Sequence, residues 1–510
     1  MISVAIPASH AVHQAASFGD LPGGVAARHA AGSRPGSGRA RHRAGTGRQA
    51  GFRRSGTAGR HRATGPPPFP DRWRAGSLSR RNSLGEHLST PLFRNAYALM
   101  LNVGITGLLG IAYWLLAAHH YTAAAVGRAS AVLSVMSLLT GITAHNIVGA
   151  LSRFIPQSGC RTTVLVVRAY LFSSVATLIL ALPLLLTVHH WGPSYADLAG
   201  IAPGLLFTGC LVAWAVFSLQ DAVLSGLRSA IWVPVENGLF GIAKIILLVT
   251  LASALPRTGI DISWMVPVFV SLPLINFLVF GKLMPRHQRM TADRLPPTLG
   301  QIGRFLVGDY TGNLCMLAVT NLVPVVVAAR ITPGMNAYFY MAWNIGGTLD
   351  LFALNMATSL MVEGAFERAT LAANCRAALR KTMFILIPVA VGLVVLAPHA
   401  LSLFGSAYAM HGAPILKLLG VATLPKALIE LYLGALRVQN RTALIALVQA
   451  VRCVLVLGLT VVLTGAMGIV GAGVAVLVSQ AAVAVMVSPG LCRVLSGAKM
   501  HSPKLAVKVV

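Results

Sequence analysis

Acidic residues are scarce in this chain of 510 residues. Thirteen Asp and Glu stand against 41 Lys and Arg, and charged residues of both signs make up only 11%. A soluble domain carries roughly 25% charged residues, so a soluble globular enzyme is excluded. Cysteine is scarce too. The six, Cys160, Cys210, Cys315, Cys375, Cys453 and Cys492, form no C-x-x-C pair, which excludes a disulfide framework and the usual zinc spacing. The sequence has no phosphate-binding loop, nucleophile elbow or zinc motif, so no cofactor, metal or catalytic constellation is expected. What it has in quantity is apolar: 55% hydrophobic residues and a mean hydropathy of +0.72.

The net charge of +28 and a pI near 11.2 would ordinarily point to nucleic acid. The distribution of the charge removes that reading. Residues 1–94 hold 15 Arg and no Lys, against only Asp20, Asp71 and Glu86. From Gly32 to Arg81 the chain is mostly Arg, Gly, Ala, Ser, Pro and His, with too little apolar surface to fold. Residues 1–92 are therefore expected to form a disordered cytoplasmic tail lying near anionic lipid headgroups. Arg without Lys equally fits a start codon set too far upstream. Ser79 to Leu84 loosely resembles a twin-arginine signal, but the apolar segment that follows is too long for a signal peptide. No folded nucleic-acid module accompanies the tail, so no nucleic-acid partner is expected.

From Asn95 onward the chain reads as apolar runs of about 20 residues, the length of a bilayer-spanning helix. Twelve are legible, near 95–118, 124–151, 164–188, 198–219, 231–254, 262–281, 305–329, 336–361, 382–403, 413–435, 443–464 and 468–489. Alternating them across a membrane places 18 Lys and Arg in the connections on the side of the tail and only Arg257 and Arg330 on the other. That bias predicts a multi-pass protein of the cytoplasmic membrane with both termini cytoplasmic. The expected fold is all-α, with about twelve transmembrane helices in two six-helix lobes, 93–285 and 304–490. A cytoplasmic linker, 286–303, joins them, and a second tail, 491–510, follows. The spacing of Arg94, His119 and the helix start after it matches that of Arg304, Arg330 and Pro333, as an internal duplication would. Pro183, Pro203, Pro234, Pro267, Pro273, Pro324, Pro388 and Pro425, with Gly346-Gly347, are expected to kink helices. Kinks suit a protein that rocks between two states, and equally suit static packing.

Ionisable groups at bilayer depth cost roughly 2.5–3.5 kcal/mol each on insertion scales and usually face a cavity or a partner. Eight are cavity candidates. Arg128 opens the second span at its outer end, where it either faces the cavity or snorkels to the interface. Glu236 and Lys244 share the fifth span, eight residues apart, within poor reach of each other. Asp309 begins the seventh span and Asp350 lies midway along the eighth. Lys426 and Glu430, four apart on the tenth, are placed to neutralise each other. Arg452, midway along the eleventh with no acid on its own helix, is the leading cationic candidate. The pairs His119-His120 and His189-His190 read as interfacial.

Three stretches resemble Wzx-type polysaccharide biosynthesis proteins over about residues 92–490. The first runs from Arg94-Asn95 through Val126-Gly127-Arg128-Ala129-Ser130-Ala131 to Leu151-Ser152-Arg153-Phe154-Ile155-Pro156. The second runs from Asp221 to Arg228 and on to Trp232-Val233-Pro234, Asn237 and Lys244. The third joins Arg304-Phe305, Pro324 and Tyr338-Phe339-Tyr340-Met341-Ala342-Trp343. That family belongs to the superfamily of multidrug, oligosaccharidyl-lipid and polysaccharide exporters. The resemblance implies two lobes in a V around a central cavity, and flipping of a polyprenyl-diphosphate-linked oligosaccharide between leaflets for cell-surface polysaccharide assembly. It implies as partners that lipid-linked glycan, membrane lipids and the polysaccharide polymerase machinery. Arg128, Lys244 and Arg452, with Lys426 behind them, would then bind the diphosphate. The long basic tail departs from the family pattern.

An ion-coupled drug or small-molecule antiporter of the same superfamily is the nearest alternative. Such proteins typically place an acid in the first span, and here none lies between Asn95 and Ala118. A major-facilitator transporter would carry an acid in the loop after the second span, and 152–161 has none. A membrane glycosyltransferase or polymerase needs acids or His in sizeable outer loops. The outer loops here are short, with only Asp197 and Asp261 near helix ends.

Overall fold

The computed structural model describes residues 91–366 and 371–497; for 91–94, 96, 307–313, 351–352 and 361–366 it describes the backbone alone. The expected tail therefore lies outside the described residues except at 91–92, as do Arg368, Lys499, Lys504, Lys508 and the side chain of Asp309. The described chain is helical, without strands. Its helices are α1 (Pro91–His120), α2 (Ala123–Gln157), α3 (Gly159–His190), α4 (Ile201–Gly226), α5 (Trp232–Leu251) and α6 (Gly259–Met290). A second run follows. There, α7 runs as Leu299–Leu317, a π turn Ala318–Leu322 and Val323–Arg330, and leads to α8 (Pro333–Phe366), α9 (Leu371–Ser402), α10 (Ser406–Val438), α11 (Thr442–Met467) and α12 (Ile469–Leu495). Among the described residues, ten of these are long and apolar enough to cross a membrane, all but α7 and α8. The protein is a polytopic all-α membrane protein.

Local chemistry sets the helix starts. The Thr122 hydroxyl accepts the Ala125 N–H to cap α2, and Thr298 with Gln301 forms a reciprocal capping box on α7. Pro183, Pro267, Pro273, Pro388 and Pro425 sit inside helices as expected. Pro203 and Pro234 do not. They fall in the first turn of α4 and α5, where the missing N–H has no intrahelical partner to lose, and Pro324 lies just after the π turn within α7. The helices also outrun their apolar stretches. Lys282, Arg286 and Arg289 lie on α6 itself, so the break between the two runs is 291–298 and shorter than the expected linker.

Each run of six has a buried core of its own, one drawn from residues 144–284 and one from 360–494. A third core is shared and draws residues from all twelve helices. The seam between the runs is α2 against α7 and α8. At one end Gly127 meets Pro333 so closely that a Cβ would sit 1.6 Å from its carbonyl oxygen. Asn336 donates there to the Gly127 carbonyl at 2.8 Å and lies 3.1 Å from the Ser130 hydroxyl. Nearby, Tyr195 donates to the Val325 carbonyl at 3.3 Å. Midway, the π turn Gly141–His145 of α2 lies against Leu317 and Asn321 of α7, beside that helix's own π turn. At the far end Phe154 and Phe305 meet edge to face at 5.7 Å, with the Arg153 guanidinium 5.0 Å from the Phe305 ring centre.

Candidate functional site

One face of α5 carries Asn237, Phe240, Gly241 and Lys244, spaced at one-turn intervals. This face lines a partly open cavity walled by Trp114 of α1, Met136 of α2, Trp214 of α4, Trp264 of α6 and Tyr340 of α8. Lys244 is 6% exposed. Its Nζ sits 3.9 Å from the Trp264 ring centre, 4.7 Å from Tyr113 and 5.1 Å from Phe240. The rings are fixed in turn. The Tyr113 hydroxyl donates to the Ile260 carbonyl at 3.0 Å and lies 2.9 Å from the Ser263 hydroxyl, which turns the face of its ring toward the ammonium. Each ring contributes about 0.5–2 kcal/mol of cation–π attraction. None supplies the full negative charge that a carboxylate would.

The other three intramembrane cations are neutralised. Arg452 Nη1 lies 2.8 Å from Glu430 Oε1, with both side chains almost fully buried, and also reaches Gln449 Oε1 at 3.4 Å. Lys426 pairs with Asp350 of α8. This corrects the expectation that Lys426 and Glu430 neutralise each other. Four residues apart on α10, each finds a better-placed partner across a helix interface, and tertiary proximity outweighs local spacing. It also corrects the placing of Arg452 as a lumen cation, because the acid it lacked on its own helix comes from α10. Arg128 Nε lies 3.2 Å from Asp197, which also binds Arg257, so Arg128 does not simply snorkel. The Asp197 hydrogen bond raises the exposed Arg257 guanidinium above the ordinary arginine range. Among the described residues Lys244 alone of the four has no carboxylate partner.

The acids divide in the same way. Glu236 does not reach Lys244. It is 3% exposed and, among the described residues, neither of its oxygens has a hydrogen-bond partner. Its neighbour Asn237 donates to both oxygens of Asp221 at 3.1 Å. The Asp350–Lys426 pair lines a second, partly open cavity with Thr320, Trp343, Gly346, Gly347 and Gln480. His119 makes a 2.8 Å contact with the Leu115 carbonyl of its own helix, and all six cysteines are free.

Sequence reasoning named Lys244 as a candidate, but the aromatic walls around it and Asp197 as the partner of Arg128 were not legible there. One signal was available. Trp belongs at membrane interfaces, yet Trp214 lies midway along an apolar run.

The fold and cavity define a class, helical membrane proteins with two six-helix runs meeting at a cavity-lining seam. Solved structures that share this fold include transporters. An inward-facing multidrug resistance MATE family transporter of the MOP superfamily is 15% identical, with a TM-score of 0.59 over 78% of this chain and 98% of that one. An outward-facing structure of such a transporter gives 0.52 over 81% and 96%, also at 15% identity. The lipid II flippase MurJ, in an inward closed conformation, is 14% identical with a TM-score of 0.58 over 78% and 89%. These likenesses establish the fold. No protein-family model and no curated protein matches the chain.

Proposed function

We propose that the protein is a membrane transporter that flips a polyprenyl-diphosphate-linked oligosaccharide from the inner to the outer leaflet of the cytoplasmic membrane, by alternating access, for cell-surface polysaccharide assembly. The observation that carries this reading is Lys244, a buried cation with no carboxylate partner among the described residues, in a cavity walled by three tryptophans. A diphosphate is anionic and gains most from a fixed cation in a low-dielectric site. The apolar faces of sugar rings stack on indole, while the lipid tail stays in the bilayer. No covalent bond changes, which agrees with a sequence free of catalytic motifs. The shared fold with a lipid II flippase supports the same reading.

Alternating access is supported by a seam whose helices each carry a π turn where they touch, a feature often found at functional sites. Partners on this reading are the lipid-linked glycan, membrane lipids and the polymerase that consumes the flipped glycan. An ion-coupled antiporter of small molecules shares the fold, and aromatic walls alone would suit such a cargo. The unpaired Lys244 favours an anion.

The test is a gene-disruption strain assayed for lipid-linked oligosaccharide held in the cytoplasmic leaflet. Accumulation that the wild-type gene relieves and Lys244→Ala does not is the expected result. Unchanged export in the disruption strain rejects the proposal.

A further inference from the structure

The second cavity has a wall unlike that around Lys244. Trp343, Gly347 and Asp350 follow one another at one-turn spacing along α8. Lys426 comes from α10, Gln480 from α12 and Thr320 from the π turn of α7. Asp350 and Lys426 pair across the α8–α10 interface and are 34% and 19% exposed, so the wall carries both charges and their sum is zero. An ammonium can donate several hydrogen bonds and a carboxylate can accept several. One mutual contact leaves most of that capacity unused. Gln480 is 1% exposed, and among the described residues its Oε1 has no hydrogen-bond partner. A buried amide oxygen in that state is costly, and the cavity that Gln480 lines is where a donor can reach it. Trp343 stacks with Phe339 at 5.6 Å and 29°, which fixes the plane of its indole. Gly347 keeps the wall beside the indole free of a side chain.

We propose that this cavity is a subsite for a neutral sugar ring. Such a ring presents an apolar C–H face, which lies on a fixed indole, and a rim of hydroxyls that each donate and accept. Asp350 accepts, Lys426 donates, and the Gln480 amide and Thr320 hydroxyl do either. Hydrogen bonds to charged partners are the stronger kind, so an ion pair holds a neutral polyhydroxyl ligand better than neutral side chains would. A diphosphate meets no net positive charge here, and an organic cation no net negative one. The two cavities therefore divide one cargo, with its anionic group at Lys244 and a sugar at Trp343. This deepens the flippase reading and rests on it only for the source of the sugar, which is a unit of a lipid-linked glycan on that reading and a free sugar otherwise.

The experiment uses the purified full-length protein in lipid nanodiscs. Saturation-transfer NMR is recorded with glucose, galactose, mannose and N-acetylglucosamine, and with glucuronate as a charged control. At least one neutral sugar should bind wild type and Lys244→Ala alike, with glucuronate no tighter than glucose. Trp343→Ala should abolish the signal. The double variant Asp350→Asn/Lys426→Met, which keeps the summed charge, should weaken binding about 10-fold, the equivalent of one hydrogen bond to a charged group. Should Trp343→Ala fail to fold, Gly347→Leu fills the cavity and must block binding. Binding of none of these sugars, tighter binding of glucuronate, or binding lost in Lys244→Ala but kept in Trp343→Ala or Gly347→Leu overturns the proposal. Uptake of the bound sugar into proteoliposomes marks a free-sugar cargo. Competition by lipid-linked glycan from the disruption strain, without uptake, marks a glycan unit. Binding with neither uptake nor competition overturns the role in cargo recognition. The flippase reading fails separately, on unchanged export in the disruption strain.

Discussion

The Arg452 guanidinium of α11 lies 2.8 Å from the Glu430 carboxylate of α10, and the two side chains are 4% and 3% exposed. The pair joins two helices of the second run deep in their core. Among the described residues Glu430 Oε2 and Arg452 Nε have no hydrogen-bond partner, so each charge depends mainly on the other. Removing one leaves a bare buried ion, which costs roughly 3–5 kcal/mol. Arg452→Ala should therefore lower the amount of folded protein in the membrane, seen as a loss of monodisperse material in detergent. The double variant Arg452→Met/Glu430→Met should recover most of that yield. A well-folded Arg452→Ala protein that has lost only cargo binding would restore Arg452 to the cavity.

Lys244→Ala should behave in the opposite way. Its ammonium rests against rings and pairs with no acid among the described residues, so the fold should tolerate the change. A lipid-linked diphosphate should bind about 10–100-fold more weakly, the equivalent of one charge-assisted hydrogen bond. Trp264, 3.9 Å from the ammonium, is the reporter. Its fluorescence should change when wild type binds the ligand and should stay flat in Lys244→Ala.

Asp350 and Lys426 face a cavity and are only partly buried, so solvent screens their attraction. A double-mutant cycle with Asp350→Asn and Lys426→Met should give a coupling of roughly 0.5–3 kcal/mol in thermal or denaturant unfolding. A cycle that closes to zero would mean the ion pair does not persist in the membrane.

The α2–α8 contact at Gly127 tests the seam. A Cβ there would lie 1.6 Å from the Pro333 carbonyl oxygen, so Gly127→Val must push the helices apart. With a single cysteine at Ser134→Cys, labelling by a membrane-impermeant maleimide should rise sharply in Gly127→Val. Asn336→Ala, which removes two hydrogen bonds at the same place, should raise it less. Equal labelling in all three backgrounds would show that the seam does not close that end.

Composition and hydropathy alone determined that this is a polytopic all-α membrane protein. The physical reason is strong and local, since about 20 consecutive apolar residues must satisfy their backbone groups as helix in a bilayer. Lys244 was legible for a related reason, because a lysine inside an apolar run carries a cost that something must offset. Which charge meets which was not legible. Lys426 and Glu430 stand four residues apart on one helix and yet pair with Asp350 and Arg452, each across a helix interface and 76 and 22 residues away in sequence. Helix periodicity ranks neighbours along one element, whereas pairing energy depends on distances between elements that only packing sets. The aromatic cage has the same origin, with Tyr113, Phe240 and Trp264 coming from α1, α5 and α6. The high net charge thus reduces, within the described membrane region, to one buried cation left without a carboxylate, and tertiary structure made that selection by assigning acids to the other three.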